Sequence, residues 1–424
     1  MTLLQRICLA LLLVTTLAVF AVGDNTRAAE EEVLKSIFDP ARKYNKFVRP
    51  PGRKNATLSL FDLPYEIKGE PVIVRVNMFV RNIGEINDET KDYQVSLTLR
   101  QEWNDSRLSY TPNDPNLKYV TFTDASKIWV PDLFFSNEKT GQIHELMTPN
   151  ALIRIQPRGE VLYSTRVSLK LSCAMDFTNF PMDKQRCSLR MASYAYTTSD
   201  LILIWRDDDP VQSAMNLDLA PYEMHGFGID YCNSKTKTGE YSCLRGEFLF
   251  ARMLSTWLMH AYLPLGLLVV VSWIIFWLDE RAIALRVIVA VIVLVATAAE
   301  GARVSASAPP SGHAKAIDSW TSWTLFFVFL TLIEQTPLME SNGTEAITEA
   351  DEKKEAAPAP PSAAPKPNLI KKWLSHYNST GRRIDMVCRV LFPVVFLIFN
   401  LTYWATYADY EGLRTLSAIK KMPY

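Results

Sequence analysis

The sequence carries no excess of either charge: Lys and Arg together number 45, and Asp and Glu number 45. Nothing in that balance suggests a nucleic-acid or an acidic partner. It has no CxxC pair and no histidine close to its cysteines, so a zinc site has little support. It has no nucleophile–base set, no metal-ligand spacing and no phosphate-binding loop, which weighs against an enzyme and implies no cofactor. Internal repeats are also lacking.

What is present is a division into unlike parts. Roughly the first 250 residues are polar and mixed, and the rest alternates long apolar runs with polar connectors. The N-terminus reads as a secretory signal peptide: Arg6, an apolar run from Leu9 to Val22, then Ala21-Val22-Gly23 with small residues at the cleavage positions. A membrane anchor is the alternative, but the run is short for a span. Four later stretches reach the length needed to cross a bilayer: Trp257–Leu278, Ile283–Val304, Ile317–Ile333 with its polar flanks, and Val387–Trp404. Trp257, Trp273, Trp277, Trp320, Trp323 and Trp404 lie mostly near their ends, as interfacial tryptophans do. Four spans after a cleaved leader put both termini outside and the segment Thr336–Arg383 in the cytoplasm. Lys353, Lys354, Lys366, Lys371, Lys372, Arg382 and Arg383 in that segment agree with the positive-inside tendency. Four spans are few for a transporter.

Four cysteines fall in the exported part: Cys173, Cys187, Cys232 and Cys243. They allow three pairings in an oxidising compartment, of which the two local ones, Cys173–Cys187 and Cys232–Cys243, are expected. Between about Leu58 and Glu247 lie short segments of strand pattern, such as Tyr93–Arg100 and Val161–Leu171, broken by turn residues. Such a run predicts an all-β sandwich. Asn55 and Asn104 head glycosylation sequons on this part, whereas the topology hides Asn342, Asn378 and Asn400. Glu340–Pro367, rich in Ala, Pro, Glu and Lys, cannot bury a core and reads as a disordered linker. The expected organisation is a signal at 1–23, a β-sandwich at 24–253, three spans within 254–336, a cytoplasmic linker at 337–384, a fourth span at 385–408 and an extracellular tail at 409–424. The fold class is α+β multidomain, an immunoglobulin-like β-sandwich followed by a four-helix transmembrane bundle.

The segment from Cys173 to Cys187 encloses thirteen residues, with Phe180-Pro181-Met182-Asp183 at its centre. It resembles the signature loop of the Cys-loop receptors, the pentameric ligand-gated ion channels. Other matches follow in the family order: Arg100-Gln-Glu-Trp103, Trp129-Val-Pro-Asp132, Pro264 in the first span, Lys315-Ala-Ile-Asp318 opening the third, and Arg383-Ile-Asp-Met opening the fourth. The resemblance covers about residues 35–336 and 380–408, and the second cysteine pair points to the branch of glycine receptors and glutamate-gated chloride channels. It implies a plasma-membrane subunit that assembles with four others, alike or different, amid membrane lipid. It also implies gating by a small ligand at subunit interfaces.

The resemblance further implies roles for particular residues. Arg100 and Ser164 match carboxylate-binding positions, and a guanidinium fork holds a carboxylate bidentately. Phe134, Tyr194, Thr238 and Tyr241 match ligand-facing positions on the neighbouring face. Ala192 stands where amino-acid-gated relatives carry a glutamate for the ligand amine, and Thr236 and Thr98 replace aromatics. The carboxylate half is retained and the amine half weakened, which suits a larger, less cationic acidic ligand. Asp88, Asp183 and Arg252 match positions that couple ligand binding to the membrane domain. In the second span, Ala284, Ile288, Ile292, Val295, Ala299 and Ala302 are expected to line the pore, with Arg286 ringing its inner mouth. Ala284-Leu285 replaces the Pro-Ala of chloride-selective relatives, and the glutamate of cation-selective ones is absent. The only hydroxyl between Arg286 and Val304 is Thr297, which the register turns off-axis. Five such helices would make an apolar tube that closes by dewetting. The expected function is an anion-conducting ligand-gated channel; a poorly conducting subunit that needs a hetero-pentamer partner is the alternative.

Overall fold

Alternation in the first half of the chain becomes two packed sheets. The computed structural model describes residues 27–52, 70–112, 115, 117–214, 219–279, 282–335 and 380–407. The proposed leader, Asn55, Asn342, Asn378 and the C-terminal tail lie outside the described residues. The first described element is helix α1 (residues 27–37). The larger sheet runs β10-β1-β2-β7-β6-β3, with β5 added to β7 and β9 to β1. Its central strands are β1 (Val72–Asn87), β2 (Asp92–Asn104) and β7 (Glu160–Ser172). Around them lie β3 (Val120–Phe122), β5 (Glu138–Ile143), β6 (Ala151–Ile155), β9 (Leu201–Trp205) and β10 (Val211–Ser213). The smaller sheet runs β11-β14-β8-β4, from β11 (Tyr222–Tyr231), β14 (Cys243–Arg252), β8 (Lys184–Ser193) and β4 (Leu133–Phe135). A separate hairpin pairs β12 (Ser234–Thr236) with β13 (Gly239–Tyr241).

The period of two decides which side chains fill the space between the sheets. Tyr93, Val95, Leu97 and Leu99 of β2 are buried, as are Val74, Val76, Met78 and Val80 of β1. They meet Leu189 and Met191 of β8 and Phe248 and Phe250 of β14 in one core. The rings of Tyr93 and Phe250 lie 6.1 Å apart across it. Each such side chain contributes about 1.5–3 kcal/mol by leaving water. The intervening residues of β2, Ser96, Thr98, Arg100 and Glu102, therefore share the opposite face. Both local disulfides are formed: Cys173–Cys187 ties the end of β7 to β8, and Cys232–Cys243 closes the base of the β12–β13 hairpin.

Among the described residues, four helices long and apolar enough to cross a membrane follow: α2 (Leu254–Trp277), α3 (Ile283–Ser307), α4 (Ala316–Ile333) and α5, whose span is Arg382–Tyr407. Helix α2 is not regular. A π-helical turn over Leu258–Tyr262 precedes Pro264. Proline has no N–H to give the carbonyl four residues back, which is that of His260. Arg303 of α3 donates to that carbonyl instead, so the irregular turn joins α2 to α3. An aromatic seam holds α5 against α2 and α4. Trp320 contacts Phe399 and Tyr403 at 5.5 and 5.1 Å, and the Tyr262 and Tyr403 hydroxyls share a 2.8 Å hydrogen bond.

Candidate functional site

Strand register decides which predicted ligand residues meet. Arg100 on β2 and Ser164 on β7 are directly opposite partners, so their side chains share the outer face of the larger sheet. Nη1 of Arg100 donates to Asn77 Oδ1 at 3.0 Å and to Gln212 Oε1 at 3.2 Å. Thr98, two residues before Arg100, is opposite Arg166 and accepts from Arg81 Nε at 2.7 Å. Nε of Arg166 is buried without a hydrogen-bond partner among the described residues. Arg81, Arg100 and Arg166 thus converge on one sheet face, and none of them forms an ion pair among the described residues. The sequence singles out Arg100 and Ser164 on this face, whereas Arg81 and Arg166 join them only through the strand register.

The aromatic group stands on the other sheet. Phe134 on β4 and Tyr194, just after β8, meet edge to face with ring centroids 5.4 Å apart. Thr238 and Tyr241 of the hairpin share a hydroxyl contact of 3.0 Å. Asp132 organises this side: Oδ1 accepts from Ser193 Oγ and Oδ2 from the Ala195 N–H, each at 2.6 Å, bracketing Tyr194. Ala192 lies opposite Phe134 on one side and Cys243 on the other. Among the described residues, no hydrogen bond, ring contact or strand pairing joins this group to Arg100 and Ser164 within the chain. The two groups of predicted residues thus lie on different sheets of the sandwich.

Asp88, Asp183 and Arg252 do come together, where the sandwich meets the helices. Arg252 Nε and Nη2 reach the two Asp183 oxygens at 2.8 and 3.1 Å, and Nη1 reaches Asp88 at 2.8 Å. The Tyr222 hydroxyl accepts from Arg252 and donates to Asp88, and burial holds this phenol well above its ordinary range. Burial alone favours loss of the Arg252 proton, but the bonds to Asp183 and Asp88 outweigh it and raise its pKa. From the disulfide-closed loop, the Thr178 and Phe180 carbonyls accept from the Ala316 and Ile317 N–H groups at 2.9 and 3.1 Å. Those N–H groups belong to the first turn of α4, which leaves its donors without intrahelical partners. The Phe180 ring also meets Trp257 of α2 at 4.8 Å.

On α3, Ala284, Ile288, Ile292, Val295, Ala299 and Ala302 are all exposed in the single chain. Thr297 is buried on the opposite face, its hydroxyl donating to the Val293 carbonyl at 2.8 Å. At its outer end, Glu300 and Arg303 form an i,i+3 ion pair. Arg286 departs from expectation. It does not stand free at the inner end of the helix but is fully buried, bidentate to Asp385 of α5 at 2.6 and 3.0 Å. The reason is helical phase: residue 286 shares its face with Ala290, Val293, Thr297 and Val304, the buried side of α3. Its Nε donates to the Asp279 carbonyl at 3.2 Å. Asp385 was visible in the sequence only as part of a motif, 99 residues away in the chain.

This sandwich with a disulfide loop seated on a four-helix bundle matches two family models in turn. Residues 30–252 match the neurotransmitter-gated ion-channel ligand binding domain, and residues 261–340 the neurotransmitter-gated ion-channel transmembrane region. The chain belongs to the neurotransmitter-gated ion-channel family. It is 41% identical to the glutamate-gated chloride channel of Drosophila melanogaster over 436 aligned residues, covering 90% of this chain and 92% of that protein. A neurotransmitter-gated channel subunit of this family works in a pentamer and binds a small molecule, with its large domain outside the plasma membrane.

Proposed function

We propose that this chain forms a chloride-selective channel gated by an acidic amino acid of glutamate's class, bound where the Arg100 face of one subunit meets the Tyr194 face of the next. The convergence of Arg81, Arg100 and Arg166 around Thr98 and Ser164, with no ion pair to any of the three among the described residues, carries this reading. Three guanidinium groups so placed supply donors for two carboxylates, whereas one arginine suffices for glycine. The relative named as a glutamate-gated chloride channel supports the same class of ligand and ion. Phe134, Tyr194 and Tyr241 would offer ring faces to the amine, worth about 0.5–2 kcal/mol each. Binding there would be passed through Arg252, Asp88 and Asp183, and through the loop carbonyls that cap α4.

A second reading has its own observation. The exposed stripe of α3 offers an ion no hydroxyl, and Arg286 is withdrawn into the buried pair with Asp385. A ring of five such helices conducts weakly, and a partner subunit with a polar pore helix restores current. Both readings share the ligand site. Potencies of L-glutamate, L-aspartate, GABA and glycine, measured by displacement of labelled L-glutamate from membranes bearing the full chain, test it. The dicarboxylates are expected to lead, and Arg81→Ala and Arg100→Ala each to weaken them. Equal displacement by glycine and glutamate, unaffected by either substitution, would overturn the assignment.

A further inference from the structure

Arg100 is anchored in an unusual way for a charged group on a binding face. One terminal nitrogen, Nη1, carries two hydrogens and meets two acceptors, Asn77 Oδ1 on β1 and Gln212 Oε1 on β10. Both acceptors are neutral amides. Asn77 is itself buried, and its Nδ2 donates to the carbonyl of Asp209 in the loop between β9 and β10. Asp209 takes a left-handed conformation with φ 45°, one that few side chains other than Asn and Asp adopt readily. The adjoining backbone is fixed by Met78 N–H to Pro210 O at 2.9 Å and by the parallel pairing of Phe79 with Gln212. The amide pair is thus held from both sides before any ligand arrives.

We propose that Asn77 and Gln212 are positioning residues that present Arg100 to a ligand carboxylate by its Nε–Nη2 edge while leaving its charge uncompensated. This rests on the reading of Arg100 as the partner of the ligand carboxylate. The sheet order β10-β1-β2-β7 puts the anchored Nη1 on the β1 side of Arg100 and Ser164 on the other side. Nε and Nη2 carry no hydrogen bond among the described residues, and that edge is one of the two geometries in which guanidinium grips a carboxylate with two parallel bonds. An acidic side chain in place of either amide would bond Nη1 more strongly, but it would also neutralise the arginine. Neutral anchors fix the direction and spare the charge. Asn77 further makes the setting of Arg100 depend on the 206–210 loop, so a shift of that loop would turn the guanidinium.

The test separates charge from packing at Gln212, which is only part-buried. Gln212→Glu keeps shape and an acceptor but adds the charge; Gln212→Met keeps the length and removes the acceptor. Affinity for labelled L-glutamate is measured on membranes bearing the full chain, with surface labelling to check assembly. Gln212→Glu is expected to weaken binding by about 10- to 100-fold, the size of a lost charge-assisted contact, and Gln212→Met by less than about tenfold. Asn77→Asp should weaken binding in the same direction; if it does not reach the surface, the Gln212 pair decides. Equal affinities for Gln212→Glu and wild type, or equal losses in the Glu and Met variants, would overturn the inference. Arg100→Ala run beside them keeps the two readings apart. If it weakens binding while Gln212→Glu does not, only the positioning role fails; if it has no effect, the ligand assignment fails with it.

Discussion

Replacing Asp385 with Asn tests the junction of α3 and α5 most sharply. Arg286 is fully buried, and Asp385 gives it both carboxylate oxygens, at 2.6 and 3.0 Å. Without that charge, Arg286 keeps neutral acceptors, among them the Asp279 and Leu278 carbonyls and the Gln335 amide. Removing one partner of a buried pair strands the other charge in a low dielectric and costs about 3–5 kcal/mol. Against a typical stability of about 5–15 kcal/mol this is a large share. At 1.4 kcal/mol per tenfold, it lowers the folded-to-unfolded ratio by about two to three and a half decades. Burial and the nearby Asp385 charge disfavour the ionised form of Glu334, so neutralising Asp385 favours its ionisation beside Arg286. The stricter form is therefore Asp385→Asn with Glu334→Gln. Surface labelling and the temperature of half-unfolding in detergent are the readouts, with Asp385→Asn expected to lose most of its surface population. The pair Arg286→Met with Asp385→Leu should recover much of it, since apolar replacement of a whole buried pair is often neutral or stabilising. Wild-type surface level and melting for the doubly neutralised Asp385 and Glu334 variant would refute the reasoning.

Three further outcomes follow from the same geometry. Cys173→Ser should block assembly rather than merely weaken ligand binding, because loss of a native disulfide typically costs about 2–5 kcal/mol and this one holds the loop that caps α4; normal surface levels would contradict it. Ile288→Ser and Ile292→Thr should raise single-subunit current by giving ions hydroxyls on the exposed stripe, and whole-cell recording that finds no gain counts against a pore on that face. Arg252→Met should leave ligand affinity within a fewfold of wild type while abolishing or strongly reducing current, as expected of a residue bonded to Asp88 and Asp183 rather than to ligand; a parallel loss of affinity in binding assays would place Arg252 in the wrong role.

Local pattern made much of this molecule legible. Alternation in β2 and β7 marks the inner faces, the thirteen-residue loop marks its own disulfide, and Glu300 and Arg303 pair because three residues on a helix bring side chains together. What the sequence could not display are contacts made across strands and helices. Arg81 reaches the Arg100 face through a bond to Thr98 on the next strand, and Gln212 reaches Arg100 from 112 residues away. Arg286 reads as a free charge at a helix end until Asp385 is brought against it from the last span. The helical phase that puts Ile288, Ile292 and Val295 on the exposed face of α3 puts Arg286 on the buried one, and spacing rather than charge decides its place. Pro264 could be read as a helix irregularity, but not that Arg303 would take the carbonyl it leaves free.

The central claim is that acidic ligand at a subunit interface opens an anion pathway along α3. The most direct measurement is the reversal potential of the L-glutamate-evoked current in cells expressing the full chain with Ile292→Thr, as external chloride is replaced by a large impermeant anion. The account predicts a potential that follows chloride, by about 59 mV for each tenfold change, and an evoked current that Arg100→Ala displaces to higher ligand concentration. A glutamate-evoked current that ignores chloride and follows sodium would contradict it.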